Sequence, residues 1–312
     1  MLQGPKVLIL QQRNWAPRIG QPLAQRFHAD GFRLGAITFK RDSDRFIRAQ
    51  KDVPYEFVLS HDDLQEGEGP SMDWDLPSLD EVCHGLGIDT VWVLVQALRS
   101  HVRSYGDKYY YGFRQNVLDT VIVGYVQRAY EACIRVFDSF NPDVIIGPNF
   151  VSMFHAMLNL VANQRGVPMI GITDSKVARM LVFSHSYLDD QGPFIDRIDE
   201  INAGIVSNHE STAVEYIEQN RTKLMGQGYV QQGNRMPLRS SLRLLLRHLR
   251  VSLRRPSGTN LLPDAMDSRS PKLVLRDFFA HRTNQTAAEH FPYVDLDSVG
   301  PYAYFPLQFQ PE

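Results

Sequence analysis

Short apolar runs alternate with amphipathic segments along the first half of the chain, and this pattern predicts alternating strands and helices. Each run is rich in aliphatic side chains, which is typical of strands buried on both faces of a parallel sheet. The predicted strands are residues 6–10, 33–39, 55–60, 143–146 and 167–173, and residues 180–186 are a candidate for one more. Strand–helix alternation of this kind predicts an α/β protein with a doubly wound parallel sheet, which is a Rossmann-like fold.

Helical spacing of apolar residues predicts extra helices around this sheet. Ser78 followed by Glu81 indicates an N-cap with a capping box. The spacing of apolar residues predicts a helix over residues 151–165, with a glycine after it, and long helices over residues 90–140. Residues 61–76 are acidic and poor in apolar side chains, so the sequence predicts a surface loop there.

Composition narrows the class of protein. The 312 residues are 43% hydrophobic and 22% charged, which is ordinary for a soluble protein with a sizeable core. The net charge of −2 argues against a nucleic-acid partner. Cys83 and Cys133 form neither a disulfide framework nor a zinc site, and they favour a reducing compartment. Residues 1–5 lack the basic stretch and apolar core of a signal peptide, and no apolar run approaches about 18 residues, so we expect a cytoplasmic protein.

Ligands of doubly wound sheets bind where the strands end, and residues 11–22 follow the first strand. Arg13, Asn14 and Arg18 in this loop carry donors for a phosphate, a carboxylate or another polar group. The alternative is a solvated connector. Gly20 alone does not make a Gly-x-Gly-x-x-Gly dinucleotide motif.

A second candidate site follows the predicted strand at residues 167–173. Asp174, Ser175, Lys176 and Arg179 place a carboxylate, a hydroxyl and two cations within about one turn, a set that grips sugar hydroxyls or phosphates. The alternative is that Asp174 or Ser175 caps a helix.

His155 and Asn149 follow the strand at residues 143–146. A histidine near a strand end can act as a general base, and the alternative is packing at the edge of the core. Asp73 and Asp75 are separated by one residue, but no strand precedes them. We therefore predict no metal site.

Residues 238–255 combine a leucine face with an arginine stripe. This pattern suits an anionic membrane surface, and the alternative is a helix packed on its own domain. The arginines of the stripe are Arg239, Arg243, Arg247, Arg250 and Arg254.

The terminal stretch YAYFPLQFQPE resembles the YxYFPLHxQPE stretch of bacterial capsule and surface-polysaccharide biosynthesis proteins. These proteins are similar to GT-B glycosyltransferases, which have two facing Rossmann-like domains. Gln308 stands where the family usually has histidine, and glutamine exchanges hydrogen bonds without titrating. Weaker resemblances cover residues 6–39, 109–116, 140–149 and 171–184.

The resemblance implies a domain organisation. Residues 1–255 would form the Rossmann-like acceptor-side domain, and residues 256–300 would form a linker and interdomain helix. Residues 301–312 would be the first strand of a second domain missing from this chain. The fragment alone would bind no cofactor and would be inactive.

The resemblance also implies a function for the complete enzyme. It would transfer a sugar from a nucleotide-sugar donor to a capsular or surface glycan, or to a lipid-linked saccharide, at the inner face of the membrane. Such catalysis needs no metal, because helix dipoles and basic side chains stabilise the departing phosphate. The implied candidate bases are His155 and Asp174. The implied binding residues are Arg13, Asn14, Arg18, Asn149, Ser175, Lys176, Arg179 and Gln308.

Two alternatives stay open at this point. The chain could be a non-catalytic glycan- or nucleotide-binding module held at the membrane surface through residues 238–255. It could also be half of a nucleotide-sugar epimerase, since epimerases share the two-domain layout.

Overall fold

A computed structural model shows the fold of the protein. It describes residues 4–66, 75–95, 119–175, 177, 180–205, 209–223, 242–243, 245–246, 249–250, 271–290 and 292. The chain divides into two compact units. The first comprises residues 1–102, 115–208 and 259–262, and the second comprises residues 103–114, 209–258 and 263–312. The predicted domain limits stay a prediction, and the predicted terminal strand at 301–312 lies outside the described residues.

The first unit is a Rossmann-like α/β structure built on one sheet of six strands. In chain order the strands are β1 (Lys6–Gln12), β2 (Arg33–Phe39), β3 (Tyr55–Ser60), β4 (Val144–Gly147), β5 (Met169–Asp174) and β6 (Leu181–Ser184). Their order in the sheet is β3-β2-β1-β4-β5-β6. The first five are parallel, as predicted, and β6 pairs antiparallel with β5. The order reverses between β1 and β4, the usual ligand-binding position in such sheets.

Helices cover the sheet in the first unit. They are α1 (Gln21–Ala29), α2 (Arg41–Ala49), α3 (His61–Glu66), α4 (Leu79–Leu86), α5 (Trp92–Val95), α6 (Asp119–Arg135), α7 (Met153–Gln164) and α8 (Pro193–Asn202). A π-helical turn, Ala16–Gly20, leads into α1, and a second, Val136–Phe140, extends α6. The second unit contains α9 (Glu210–Lys223) and α10 (Pro271–Glu289).

Local helix signals are confirmed, and one loop prediction is wrong. The Ser78 side chain accepts a hydrogen bond from the Glu81 amide, and the Glu81 carboxylate accepts one from the Ser78 amide at 2.7 Å. Residues 61–66, predicted as part of a surface loop, form α3. His61 and Leu64 are buried there, so packing against the rest of the fold overrides the acidic composition.

Alternate side chains of each strand are buried on opposite faces of the sheet. On the first face, Val7 and Ile9 of β1 pack in a cluster that includes Ala24 of α1. Leu8 and Leu10 pack on the opposite face with residues of α6 and α7. Because side chains alternate along a strand, Gln11 projects to the first face and Gln12 projects to the second face.

Hydrogen bonds tie the amino ends of β1 and β4 together. The Lys6 amide donates to Oδ2 of Asp143 at 2.7 Å, and the Asp143 amide donates to the Lys6 carbonyl at 2.9 Å. The Lys6 ammonium also donates to the carbonyl of Phe140 at 2.7 Å. These bonds fix the spacing of the two strands at the end of the sheet opposite the candidate site.

Candidate functional site

The carboxyl ends of the parallel strands share one edge of the sheet. Arg13 follows β1, Asn149 follows β4 closely, and Asp174 ends β5. The β1 and β4 strands are direct neighbours in the ladder, as are β4 and β5. The fold therefore brings the predicted residues from three strand ends to a common edge.

The loop after β1 holds its first residue in an uncommon backbone conformation. Arg13 has φ of 41°, in the left-handed region that costs roughly 1–3 kcal/mol for a residue with a side chain. Arg13, Asn14 and Arg18 are exposed, and the two arginines have no ion-pair partner among the described residues. At the end of the neighbouring β2, Lys40 has φ of 80°. Strained basic residues thus occur at two adjacent strand ends.

A chain of partly buried hydrogen bonds anchors Gln11 beneath this loop. Nε2 of Gln11 donates to the Tyr55 hydroxyl at 3.2 Å, and that hydroxyl donates to Oε1 of Gln21 at 2.9 Å. Gln21 in turn donates to Oε1 of Gln50 at 3.1 Å. Burial raises the pKa of Tyr55, so the phenol stays protonated and can serve as donor and acceptor in this chain. Oε1 of Gln11 is buried and lacks a hydrogen-bond partner among the described residues.

His155 occupies the first turn of α7 and is buried, with 1% of its surface exposed. Its ring stacks on Phe39, and Nδ1 contacts the hydroxyl of Ser152. That hydroxyl caps the helix by accepting from the His155 amide at 3.4 Å. Burial lowers the pKa of His155 to about 3, so the imidazole is neutral near neutral pH. Nε2 has no hydrogen-bond partner in the described part of the chain.

Sequence reasoning missed a second histidine at this edge. The His61 ring lies 4.8 Å from that of Phe39, centroid to centroid, and Nε2 of His61 is 2.6 Å from the Tyr125 hydroxyl. A usable signal was present, because His61 directly follows the apolar run of β3. The acidic residues after it led to the surface-loop prediction.

Acidic residues of α3 hold the start of α2. Asp62 accepts a hydrogen bond from the Arg41 amide at 2.8 Å, and the Arg41 guanidinium pairs with Asp63. Asp62 is 5% exposed, so the contact with the Arg41 amide is largely shielded from solvent. The carboxylates after β3 therefore organise the junction that follows β2.

The turn after β5 is a hairpin, which contradicts the helix-cap alternative for Asp174 and Ser175. The Ser175 hydroxyl donates to the Met180 carbonyl at 2.9 Å and accepts from the Val177 amide at 3.1 Å. Asp174 pairs with Leu181 of β6. The hydroxyl of Ser175 is therefore occupied by the turn itself.

The remaining predicted residues are only partly described. Asn149 is half-buried, and its Oδ1 accepts from the Val151 amide at 3.4 Å. Only the backbone of Asp174 is described. Lys176, Arg179 and Gln308 lie outside the described residues, and their roles stay predictions.

The structure gives two results on metals and membranes. Within the described ranges, no three histidine, cysteine or acidic side chains come together in a way that would hold a metal ion. No helix in that part of the chain has the length and apolar character needed to cross a bilayer. Within residues 238–255, the described positions 242–243, 245–246 and 249–250 are helical, and membrane contact there stays a prediction.

Comparison with known proteins leaves the family open. No protein-family model matches the chain, and no curated protein matches it significantly.

Proposed function

We propose that the chain is the acceptor-side half of a GT-B glycosyltransferase. Its sheet edge would bind a saccharide acceptor, and the complete enzyme would extend a capsular or surface glycan from a nucleotide-sugar donor. The observation that carries the proposal is the end of β1. At the reversal of strand order, this strand ends in two glutamines whose buried side-chain oxygens have no hydrogen-bond partner among the described residues, and strained Arg13 follows it.

The chemistry of this edge suits a saccharide that carries an anionic group. Exposed Arg13 and Arg18 have no ion-pair partner among the described residues, so both guanidinium groups are available for a phosphate such as that of a lipid-linked acceptor. The buried amide oxygens of Gln11 and Gln12 accept hydrogen bonds without carrying charge. Neutral acceptors of this kind suit hydroxyl groups.

The second candidate function is a glycan-binding module without catalysis. The burial of His155 favours it, because an imidazole with a pKa of about 3 is a weak base and has almost no contact with solvent. A catalytic role for His155 would require a substrate atom to reach Nε2 inside the fold.

Binding measurements test the proposal. The purified chain is screened on an array of bacterial surface oligosaccharides, and binding is quantified by isothermal titration calorimetry. We expect saccharide binding that weakens about tenfold in Arg13→Ala and Arg18→Ala, since a charge-assisted hydrogen bond is lost in each. Arg45→Ala is the matched control, because Arg45 is also exposed but pairs with Asp42 on α2. The control should bind like the wild type.

A parallel titration with UDP-glucose tests the assignment to the acceptor side. The chain should bind this donor weakly, because the donor site would belong to the other domain. Micromolar affinity for UDP-glucose contradicts the acceptor-side assignment. Transfer of labelled sugar from UDP-glucose to a bound glycan by this chain alone contradicts it as well.

A further inference from the structure

We infer that strand β6 and helix α8 form a docking surface for a cationic amphipathic helix of a partner protein. Five exposed apolar side chains make up this β6–α8 surface: Leu181, Phe183, Phe194, Ile198 and Ile201. None of them is a predicted ligand-binding residue, so the inference does not depend on saccharide binding.

Helix α8 has both ends encoded locally but buries none of its side chains. Pro193 is its first residue, and Gly204, with φ of 94°, follows its end. The Gly204 amide donates to the Ile201 carbonyl and the Ile205 amide donates to the Glu200 carbonyl, each at 3.0 Å, which is a Schellman motif. No residue of α8, all of which the structure describes, is buried. A helix of 10 residues depends on packing for most of its stability, so α8 calls for a partner that covers its apolar side.

The apolar residues of α8 form one stripe. Phe194, Ile198 and Ile201 recur at positions i, i+4 and i+7, so they share a face of the helix. They expose 49%, 37% and 45% of their surfaces. Residues at this spacing are the contacts that two packed helices make, so the stripe fits a helical partner.

Strand β6 adds apolar surface beside the start of α8. It stands at the end of the strand order, and Leu181 and Phe183 are 54% and 44% exposed. Phe183 is the ladder partner of Ile172, which packs in the first-face cluster, so Phe183 and Leu181 extend the first face of the sheet. A methyl group on Gly192, just before α8, would lie 2.9 Å from the Phe183 carbonyl oxygen. Exposed apolar residues that cluster in this way mark an interaction site, whereas single ones are ordinary.

The charge of this region indicates the kind of partner. Residues 180–205 contain five acidic residues and one arginine, a net charge of −4 with histidine neutral. The arginine, Arg197, pairs with Glu200 at 2.6 Å. The other four acidic side chains are exposed and have no ion-pair partner in the described part of the chain; they are Asp189, Asp190, Asp196 and Asp199. A surface that is both apolar and acidic is complemented by one that is both apolar and basic.

The same charge disfavours two other occupants. An anionic membrane would repel the unpaired carboxylates. A second copy of the chain would bring two acidic surfaces together, and like charges across an interface weaken binding. A partner helix with aliphatic side chains on one face and lysine or arginine beside them suits both the stripe and the charge.

A matched pair of synthetic peptides tests the inference. Each is an amphipathic helix of about 18 residues with leucine at heptad positions a and d. One peptide carries lysine at its charged positions, and the other carries glutamate. Both are labelled with fluorescein, and the full chain is titrated into each while fluorescence anisotropy is recorded. We expect the lysine peptide to bind at least about tenfold more tightly than the glutamate peptide.

Variants of exposed residues then locate the binding. Ile198→Ser and Ile201→Ser should each weaken binding of the lysine peptide about tenfold, because each removes apolar surface that the complex buries. Asp196→Asn combined with Asp199→Asn should weaken it about threefold and reduce its dependence on salt concentration.

Phe46→Ser is the matched control. Phe46 is also an exposed apolar residue on a helix, but the Arg45 and Arg48 side chains of that helix pair with its carboxylates. This variant should bind the lysine peptide like the wild type. Thermal melts establish that each variant is folded, and Ile201→Ser carries the test if Ile198→Ser is not.

Four results would overturn the inference, and none of them bears on the saccharide site. The first is equal binding of the lysine peptide by the wild type and both isoleucine variants, and the second is equal binding of the two peptides by the wild type. The third is a wild-type dimer in sedimentation velocity that becomes monomeric in Ile198→Ser, which would assign the surface to a second copy. The fourth is flotation with phosphatidylserine vesicles that Ile198→Ser abolishes, which would assign the surface to a membrane.

Discussion

The imidazole of His155 lies parallel to the phenyl ring of Phe39, with 4.5 Å between centroids and 11° between ring planes. His61 contacts the same ring at 4.8 Å, and Phe154 meets it edge-on at 5.9 Å. Phe39 is the last residue of β2 and is 5% exposed. One aromatic side chain thus fixes both histidines at the carboxyl edge of the sheet.

Replacing Phe39 by alanine should lower the free energy of unfolding by about 3–5 kcal/mol, because the change leaves a cavity between three rings. Urea denaturation measures this loss. Phe46→Ala is the control, since Phe46 is 36% exposed on α2 and its removal should cost less than about 1 kcal/mol. Equal costs for the two changes would show that Phe39 does not organise this cluster.

Burial of neutral His155 should make stability fall in acid. The unfolded chain takes up a proton on His155 near pH 6.5, whereas the folded pKa is lowered to about 3. The contribution is therefore complete above pH 6.5 and is lost as the pH falls toward 3. Between about pH 7.5 and about pH 5, we expect the wild type to lose about 2 kcal/mol more than His155→Phe, measured by urea denaturation. Parallel pH curves for the two proteins would contradict this.

Two glycine-to-alanine changes should have opposite effects on stability. At Gly20 a methyl group would collide with the side-chain oxygen of Gln11 and approach Cζ3 of Trp15 to 2.5 Å. We expect a loss of about 1–3 kcal/mol from overpacking. At Gly124, inside α6, the nearest atom is a guanidinium nitrogen at the end of the long Arg128 side chain, at 3.3 Å. Alanine there should raise stability by about 0.5–1 kcal/mol through its helix propensity, and chemical denaturation compares both.

Replacing Arg13 by glycine should raise the stability of the fold and weaken saccharide binding. Arg13→Gly relieves the left-handed strain and should raise the free energy of unfolding by about 1 kcal/mol. Arg13→Ala keeps that strain, so its stability should match the wild type. Both changes remove the guanidinium and should weaken saccharide binding equally. A glycine variant no more stable than the alanine variant would refute the strain argument.

The sequence predicts the sheet well because its signals are local. Strands buried on both faces appear as continuous apolar runs, and the capping box of Ser78 and Glu81 lies within four residues. Helix α3 is different, because His61 is buried by its contact with Tyr125, which is 64 positions away. No local pattern encodes such a contact.

The candidate site is likewise predictable from the sequence only in part. The rule that ligands bind at strand ends suffices to select Arg13, Asn14 and Arg18. The pairing of Gln12 with Phe39 depends on the register between β1 and β2, and the stacking of His155 depends on how α7 packs. Both are tertiary relationships, so the sequence selects His155 but not the partner that defines its environment.

The hydrogen bonds between Lys6 and Asp143 bear on how the candidate site, at the opposite end of the sheet, can change in evolution. They hold the amino ends of β1 and β4 together, and the ladder from Val7 to Ile9 continues this spacing toward the carboxyl edge. Insertions and deletions in the segments after these strands change the available room without breaking those bonds. New specificities in descendants of this chain should therefore arise from altered loop length over an unchanged strand framework.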